Sequence, residues 1–526
     1  DAYKKDMTAG TYPDVRSGLQ KLLKDGLLLF NYTGHGGTTA LSDEKVLTQT
    51  DINQFTYTHL PVWVTATCDF TRFDDLNTSA GEDVFLNKSS GGIALFTTVR
   101  VAYSRPNFPI NDNVIRNLFE RNNGRRRTLG EVMQATKNTL SSVYKLGFCL
   151  IGDPAVKMAY PEFGMKVTTV NGQSVDGNSI SFKALEKITV EGEVLDASGQ
   201  LVTDFTGIVN PTVKDSKVTV TCLKNSNKDD SPAFTFTDYP NTIFIGNDSV
   251  RNGKFSFTFT VPKDISYSNL QGKMNLYAVD TESGNEAQGN FDNFIVGGTS
   301  DTAETDTIGP EIRALYLNDT TFVDGGQVNT TPYFVAELWD KSGVNITGSS
   351  VGHDMMLVID ESTVLSYNLN SYYELLLGED GTGIVKFPIP ALEPGKHTAE
   401  FWVWDILNNS TVRTFTFEVV EGLKPFLFDV IATPGIAREQ VTFHLMHNRP
   451  ESRMRVGIMV YDLAGRQLWK HEESGTSGLF ENYTVSWDLT SGGARMRPGV
   501  YIYRAAISTD NSKDATKARK FIILGE

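Results

Sequence analysis

Cysteine is scarce in this sequence. The 526 residues contain three cysteines, Cys68, Cys149 and Cys222, and this small, odd number excludes a disulfide framework. There is no CxxC pair, no HExxH motif and no cysteine–histidine group with the spacing of a zinc site. His444 and His447 lie close together, but the alternation of the HLMH run that contains them indicates a strand more than a metal site. We therefore predict no catalytic metal and no cofactor.

Long apolar runs are also missing. No stretch approaches the roughly 18–20 apolar residues that a membrane-spanning helix needs. The first ten residues, DAYKKDMTAG, lack the apolar core of a signal peptide, so we expect that a targeting peptide has been removed or that the chain begins downstream of one. Acidic residues outnumber basic ones, 63 against 48, and the net charge of −15 argues against nucleic acid as a partner.

Predicted strands and helices alternate in the first 160 residues. This order indicates an α/β region with a mostly parallel sheet that is covered on both faces. The predicted elements are, in chain order, a strand at 26–31, a helix at 50–57, a strand at 61–67, a helix at 80–86, a strand at 92–99, helices at 111–121 and 129–140, and a strand at 148–151.

The pattern changes after Pro161. Helical periodicity almost disappears, and short β-branched and aromatic runs alternate with turns rich in Gly, Asn, Asp and Ser. Such a pattern is typical of Ig-like β-sandwiches, and the length allows three of them. We place them at 161–300, 308–421 and 422–526. The small, acidic stretch at 297–309 is the predicted linker between the first two.

Two turns of the second β region begin with Trp-Asp. They are WDKSG at 339–343 and WDILNN at 404–409. Ordinary Asn/Asp turn chemistry explains both, and a calcium-binding loop is the alternative.

Two residues with catalytic chemistry directly follow predicted strands. His35 lies in NYTGHGG after the first strand, and Cys68 lies in VTATCDF after the next. Because parallel strands end at one edge of a sheet, we expect the imidazole and the thiol to face each other there. A cysteine nucleophile with a histidine base requires this arrangement, and the N–H groups of Gly36 and Cys68 are candidate donors to an oxyanion.

The same residues allow a structural interpretation. A lone cysteine after an apolar strand is usually a small buried hydrophobic residue, and a lone histidine in a glycine turn often has a structural role. Cys149 and Cys222 lie inside apolar strands, and we predict that both are inert core residues.

Three motifs of the first region resemble the gingipain family of cysteine peptidases. They occur in the order of the family and at similar spacing. The motifs are NYTGHG at 31–36, the strand that leads from Leu60-Pro61 to Cys68, and IGDP at 151–154.

This resemblance implies a caspase-like fold for residues 1–160. It also implies that His35 is the base and acid, that Cys68 is the nucleophile, and that the amides of Gly36 and Cys68 form the oxyanion hole. An aromatic residue after the next strand lines the substrate pocket in this family. Tyr103, in TTVRVAYSRP, takes that place here, although the type of aromatic residue differs.

The resemblance is incomplete at the start of the chain. A caspase-like sheet has strands before the histidine strand, whereas few residues precede that strand here. The family's orienting carboxylate, and the acidic pocket residue of its Arg-specific members, come from that earlier part. Neither is assigned here, and Arg specificity is not implied. Asp69 lies too close to Cys68 along the chain to serve as the third member. We expect a C-terminal portion of a longer protein, without the first half of the catalytic domain.

Four runs near the C-terminus resemble the C-terminal sorting domain of type IX secretion cargo. Their pattern alone indicates strands of a small sandwich, and an ordinary Ig-like domain is the alternative interpretation. The runs are YDLAGR at 461–466, WDL at 487–489, PGVYIYR at 498–504 and KFIIL at 520–524.

The whole order resembles that of the cell-surface sortases of type IX secretion. This implies a cysteine transpeptidase that cleaves the sorting domain from cargo and transfers the cargo to anionic lipopolysaccharide. It also implies an outer-membrane β-barrel shuttle protein as partner, and a peripheral position on the extracellular face of the bacterial outer membrane. Two alternatives stay open, a secreted gingipain-like endopeptidase and a non-enzymatic surface adhesion module.

Overall fold

The computed structural model describes residues 3–122, 124–225, 232–301, 306–348, 352–376, 381–509 and 511–525. The chain is mostly β, with 45% strand and 12% helix. Within the described residues, no helix has the length and apolar character to cross a membrane. The helices are concentrated in the first part of the chain.

Residues 13–151 form an α/β unit. Its elements are, in chain order, α1 (Pro13–Asp25), β1 (Leu29–Thr33), β2 (Ala40–Leu41), β3 (Leu47–Thr48), α2 (Gln49–Gln54), β4 (Val62–Ala66), α3 (Ala80–Leu86), β5 (Ala94–Thr98), α4 (Ser104–Phe119), β6 (Arg121–Asn122), β7 (Arg125–Arg126), α5 (Leu129–Thr139), a 3₁₀ helix (Val143–Gly147) and β8 (Phe148–Ile151).

The central sheet of this unit has the strand order β1-β4-β5-β8. The first three strands are parallel, and β8 runs antiparallel to β5. Every residue of β4 and β5 is buried, because helices cover both faces of the sheet. One core packs against α4 and α5, and the other against α1, α2 and α3.

Helix α1 is absent from the sequence-based prediction. It begins at Pro13, whose fixed φ suits the first position of a helix, and it ends before Gly26 at a φ of +103°. Leu23 is its buried residue and Leu19 packs against the same core, so the helix has an apolar face that the prediction missed.

Residues 163–299 form the first β region. The strands are β9 (Phe163–Val170), β10 (Gln173–Ser174), β11 (Ile180–Ala184), β12 (Lys187–Leu195), β13 (Gly207–Lys214), β14 (Val218–Thr221), β15 (Thr235–Asp238), β16 (Thr242–Ile245), β17 (Asp248–Arg251), β18 (Lys254–Thr260), β19 (Leu270–Gln271), β20 (Lys273–Asp280), β21 (Glu286–Phe291) and β22 (Phe294–Thr299).

The main sheet of this region closes on itself. Its order runs from β9 through β12, β18, β17, β13 and β20 to β21, and β21 pairs in parallel with β9. A small sheet of β11, β22 and β19 adds Phe182 and Phe294 to the same core. Strands that are far apart in sequence meet where Ala287 of β21 pairs with Phe163 of β9.

Residues 311–419 form the second β region, with a further 3₁₀ helix at Asn370–Tyr372. The strands are β23 (Glu311–Leu317), β24 (Gln327–Val328), β25 (Tyr333–Trp339), β26 (Met356–Ile359), β27 (Ser366–Asn368), β28 (Tyr373–Leu375), β29 (Gly383–Pro388), β30 (Gly395–Trp404) and β31 (Ser410–Val419).

Residues 427–523 form the last region. The strands are β32 (Leu427–Thr433), β33 (Ile436–Ala437), β34 (Val441–His447), β35 (Met454–Tyr461), β36 (Gln467–Gly475), β37 (Tyr483–Trp487), β38 (Thr490–Ser491), β39 (Ala494–Arg495), β40 (Gly499–Ser508) and β41 (Ala515–Ile523).

Each of these two regions has two main sheets that share one core. In the second β region the sheets are β23-β25-β29-β28 and β24-β31-β30-β26-β27. In the last region they are β32-β34-β37 and β33-β41-β40-β35-β36. The predicted domain boundaries and the Ig-like assignment stay predictions. Of the predicted linker at 297–309, residues 302–305 lie outside the described residues.

Candidate active site

The sheet register places His35 and Cys68 at the same edge. Thr33, the last residue of β1, is paired with Ala66, the last residue of β4, and each catalytic candidate follows two residues later. Neighbouring strands lie about 5 Å apart, so the two loops leave the sheet side by side. The register thus places the loops that carry both residues at one edge of the sheet, and their facing side chains stay a prediction.

The loop that carries His35 is held against the loop of Cys68. The Gly34 N–H donates to the Ala66 carbonyl at 3.4 Å. The α-carbon of Gly36 lies so close to Thr67 that an added Cβ would be 2.4 Å from the Thr67 Oγ1. Glycine at position 36 is therefore required for this close approach of the two loops.

The backbone of His35 is fixed from the other side. Its carbonyl accepts the hydroxyl of Tyr32 at 2.6 Å and the N–H of Ser42 at 2.8 Å. Burial raises the pKa of Tyr32 to about 12, so the phenol stays protonated and remains a donor. The imidazole itself is exposed to solvent.

The sulfur of Cys68 is half-buried and contacts the next loop. Its thiol donates to the Ala102 carbonyl at 3.2 Å, and the Ala102 N–H lies 3.4 Å from the sulfur. Within the described chain, the sulfur and the imidazole of His35 form no hydrogen bond to each other. Apo active sites often show such loose catalytic contacts, which tighten when substrate binds.

Two main-chain N–H groups beside these side chains have no acceptor in the part of the chain that the structure describes. Neither the Gly36 amide nor the Cys68 amide donates a hydrogen bond to any residue that the structure describes. Asp69, the next residue after Cys68, adopts a φ of +49°, and its N–H donates to the Arg100 carbonyl at 3.2 Å. The chain therefore turns at Asp69, directly after Cys68.

Tyr103, the predicted substrate-binding residue, directly follows Ala102, whose backbone contacts the Cys68 sulfur. It is exposed, and its ring packs edge-on against the ring of Tyr144 at a centroid distance of 5.1 Å. Tyr144 is absent from the sequence-based candidates. The roles of His35, Cys68, Gly36 and Tyr103 themselves stay predictions.

The other two cysteines require a correction. All three cysteines are free thiols and all are partly buried. Cys149 lies in β8 as predicted, but it is not a fully buried core residue. Cys222 lies just beyond the end of β14 at Thr221 rather than inside a strand, and its N–H donates to the Phe234 carbonyl.

No third catalytic group is assigned by the structure. Among the described residues, no carboxylate forms an ion pair or a hydrogen bond with the His35 side chain. Asp69 remains unassigned to the site, and the nearby Asp74 is paired through both oxygens with Arg100, at 2.6 and 3.0 Å.

The two Trp-Asp turns meet in the second β region. Ligand atoms of Asp306, Asp340 and Asp405 lie within 4.8 Å of one another. Asp340 accepts the N–H groups of Ser342 and Gly343, as Asn/Asp turn chemistry predicts. Burial raises the pKa of Asp340 to about 6, with further contributions from the charges of Asp405 and Asp306. An acidic cluster of this kind does not by itself identify a metal site.

Residues 1–159 match the family described as Peptidase family C25, and the resemblance to the gingipain family of cysteine peptidases is confirmed for this part of the chain. The match supports a cysteine-type peptidase. A similar solved structure is that of dimeric latent PorU from Porphyromonas gingivalis, with 34% identity and a TM-score of 0.35. That match covers 98% of this chain and 47% of that one, so the present chain spans about half the length of the solved structure.

A second similar structure is the Arg-specific cysteine proteinase gingipain R. It is 19% identical, with a TM-score of 0.26, and the match covers 53% of this chain and 56% of that chain. A comparison with curated proteins finds no match.

Proposed function

We propose that this chain carries the histidine and cysteine of a cell-surface sortase. In this proposal the enzyme cleaves the C-terminal sorting domain from type IX secretion cargo and transfers the cargo to anionic lipopolysaccharide. The observation that carries the proposal is the placement of His35 and Cys68 just after neighbouring strand ends, beside two N–H groups that have no acceptor among the described residues. The match to a cysteine peptidase family supports the same chemistry.

The first half of the reaction forms a thioester. His35 takes the proton of the Cys68 thiol, and the thiolate attacks the peptide carbonyl before the sorting domain. The developing oxyanion accepts the N–H groups of Gly36 and Cys68. His35 then gives its proton to the leaving nitrogen, the C–N bond breaks, and the sorting domain departs.

The second half decides between transfer and hydrolysis. In transfer, an amine of the glycolipid attacks the thioester, loses a proton to His35, and releases Cys68 as a thiol. Before the first half begins, the Cys68 thiol has to leave its hydrogen bond to the Ala102 carbonyl, since the thiolate attacks the substrate in its place. The proposed setting is the extracellular face of the outer membrane, with a β-barrel shuttle protein as the partner that holds the enzyme there.

A secreted gingipain-like endopeptidase is the second candidate. The exposure of His35 favours it, because water reaches a histidine base in an open site without further rearrangement. The two candidates share the same acylation chemistry, and they differ in the acceptor.

Replacing the nucleophile tests both candidates. In cells that make the full-length protein, we expect Cys68→Ala to abolish both removal of the cargo sorting domain and attachment of glycolipid to cargo. The matched control is Cys149→Ala, which changes a free thiol of similar burial outside the site. Mass spectrometry of secreted cargo reports both steps.

Each outcome favours one of the candidates. The endopeptidase is supported if the unchanged enzyme releases cargo without glycolipid and Cys68→Ala abolishes this cleavage. The sortase is supported if the unchanged enzyme releases cargo with glycolipid and Cys68→Ala abolishes both steps. Unchanged processing in Cys68→Ala would rule out both enzymes and support a non-enzymatic surface module.

A further inference from the structure

A buried threonine hydroxyl binds the peptide group that precedes the candidate nucleophile. Thr98, the last residue of β5, is buried, and its hydroxyl donates to the Thr67 carbonyl at 2.6 Å. Thr67 is buried as well. The carbonyl that Thr98 binds and the N–H of Cys68 belong to one planar peptide group. The side chain of Thr98 is therefore bonded to the group that carries a candidate oxyanion donor.

We propose that Thr98 is a positioning residue of the oxyanion hole, which fixes the direction of the Cys68 N–H and strengthens that group as a donor. This inference rests on the proposed function, since it requires acyl transfer at Cys68. In this proposal Thr98 touches neither the substrate nor the reacting atoms. It acts through the peptide group between Thr67 and Cys68.

The direction of the Cys68 N–H follows from the order of the strands, in which β4 lies between β1 and β5. The Ala66 carbonyl points to the β1 side, where it accepts an N–H group of the loop that follows β1. The next carbonyl, of Thr67, points to the β5 side, where it meets Thr98. The C=O and N–H of a trans peptide point in opposite directions, so the Cys68 N–H points to the β1 side. The loop of Gly36, the other candidate donor, follows β1 on that side.

The same hydrogen bond strengthens the Cys68 N–H as a donor. A donor at the carbonyl oxygen polarises the peptide group, and hydrogen bonds that share such a group reinforce one another. The low dielectric around the buried Thr67 and Thr98 increases this effect. Because the Cys68 N–H has no acceptor among the described residues, its donor capacity is left for a developing oxyanion.

Main-chain hydrogen bonds hold the rest of this turn without the Thr98 hydroxyl. The Thr71 N–H donates to the Thr98 carbonyl at 3.1 Å, and the Asp69 N–H donates to the Arg100 carbonyl at 3.2 Å. Removal of the hydroxyl leaves both bonds in place. We therefore expect the turn to keep its path, while the peptide group before Cys68 loses the partner that orients it.

Removal of the hydroxyl at nearly constant volume tests the proposal in the full-length protein. The probe is a peptide aldehyde with the sequence that precedes the cargo sorting domain. The Cys68 thiolate adds to the aldehyde carbon, and the former carbonyl oxygen, which then takes up a proton, occupies the place of the oxyanion. We expect Thr98→Val to weaken aldehyde binding and to lower the kcat of cargo cleavage about tenfold, with KM little changed, which is less than the roughly hundredfold cost of losing a donor outright.

Iodoacetamide is the matched reagent. It alkylates Cys68 without forming an oxyanion, so it reports the reactivity of the thiol alone. We expect Thr98→Val to change its rate less than about twofold, because the hydroxyl binds the peptide group and not the sulfur.

Two variants act as controls. Thr98→Ser keeps the hydroxyl and is expected to keep aldehyde binding. Thr97→Val removes the neighbouring buried hydroxyl, which bonds to the hydroxyls of Thr65 and Thr71 at 2.8 and 2.9 Å. In the described chain no hydrogen bond joins it to the Thr67 carbonyl. We expect this variant to lose stability in the same core and to keep aldehyde binding.

The outcomes separate this inference from the proposed function. If Thr98→Val and Thr97→Val weaken aldehyde binding equally, or if Thr98→Val slows iodoacetamide as much as it weakens the aldehyde, Thr98 has a structural role only and the cysteine chemistry still stands. Thr98→Ala takes the same measurements if Thr98→Val does not fold. If cargo processing survives Cys68→Ala, the proposed function fails and this inference fails with it.

Discussion

Two clusters of polar residues in this molecule have opposite characters. At the edge of the α/β sheet, His35 is exposed, Cys68 is half-buried, and the amides of Gly36 and Cys68 have no acceptor among the described residues. At the joint between the first and second β regions, Asp264 is buried. It accepts hydrogen bonds from Asn345 at 3.3 Å, His353 at 2.7 Å and Asn408 at 2.9 Å.

The two clusters differ in how many of their polar groups already have hydrogen-bond partners, and groups without partners are the ones that can bind a substrate. The carboxylate of Asp264 is surrounded by partners from three places in the next region, and a buried charge that is satisfied in this way stabilises one arrangement of the joint. The groups at the sheet edge have few partners and face solvent, so a substrate can supply the missing ones. We therefore expect changes at the joint to affect stability, and changes at the edge to affect activity.

The largest effect on stability is expected from Asp264→Ala. The substitution leaves the buried Asn345 and the half-buried His353 and Asn408 without their shared acceptor, and we expect the free energy of unfolding to fall by about 3 kcal/mol. Urea unfolding followed by tryptophan fluorescence measures the change. Asp176→Ala is the matched control, because Asp176 is exposed and its ion pair with Lys166 is worth little. A loss below about 1 kcal/mol would contradict the stabilising role of the joint.

The next effect, on activity, is expected from Gly36→Ala. The new Cβ would lie 2.4 Å from the Thr67 Oγ1, so the loop of His35 has to move away from Cys68. If His35 and Cys68 act as the proposed pair, a misplacement of about 1 Å between them lowers the rate of the proposed cargo cleavage about hundredfold. Gly37→Ala is the control, since an added Cβ there meets no atom within 4 Å. Equal activity of the two variants would show that the spacing of the two loops is unimportant.

The smallest effect concerns pH and a second buried carboxylate, Asp340. Burial raises its folded pKa from an ordinary 3.8 to about 6, with the charges of Asp405 and Asp306 adding to the shift. The folded state then binds the proton more tightly than the unfolded state, so stability falls as the pH rises from about 4 to 6 and is level above that. Urea midpoints at pH 4, 5, 6 and 7 measure this dependence.

Asp340→Asn is expected to weaken this pH dependence. The amide keeps the acceptor for the N–H groups of Ser342 and Gly343 but carries no titrating proton. An equally steep pH dependence in the variant would assign the titration to another group. The proposed cleavage of cargo at pH 7 is expected to be unchanged, since Asp340 lies outside the candidate active site.

Local sequence patterns predict elements of the α/β region well where a short apolar run has a clear start and end in the sequence. The prediction at 61–67 contains the observed β4, and the helix at 80–86 has the observed bounds of α3. The prediction missed helix α1, although Leu19 and Leu23 form an apolar face on it. In the β regions, the pattern shows that strands exist but not how they pair. The closure of β9 on β21 therefore has no local signal.

The sequence by itself determined the alternation of strands and helices, the two loops with His35 and Cys68, and the resemblance to a cysteine peptidase family. These properties depend on residue type and short-range spacing. Only the tertiary structure decided that Tyr144 joins Tyr103, that Gly36 lies against Thr67, and that Asp264 is bound from another region. Such contacts join residues that are far apart along the chain, so a local sequence pattern cannot show them and they form only when the chain folds.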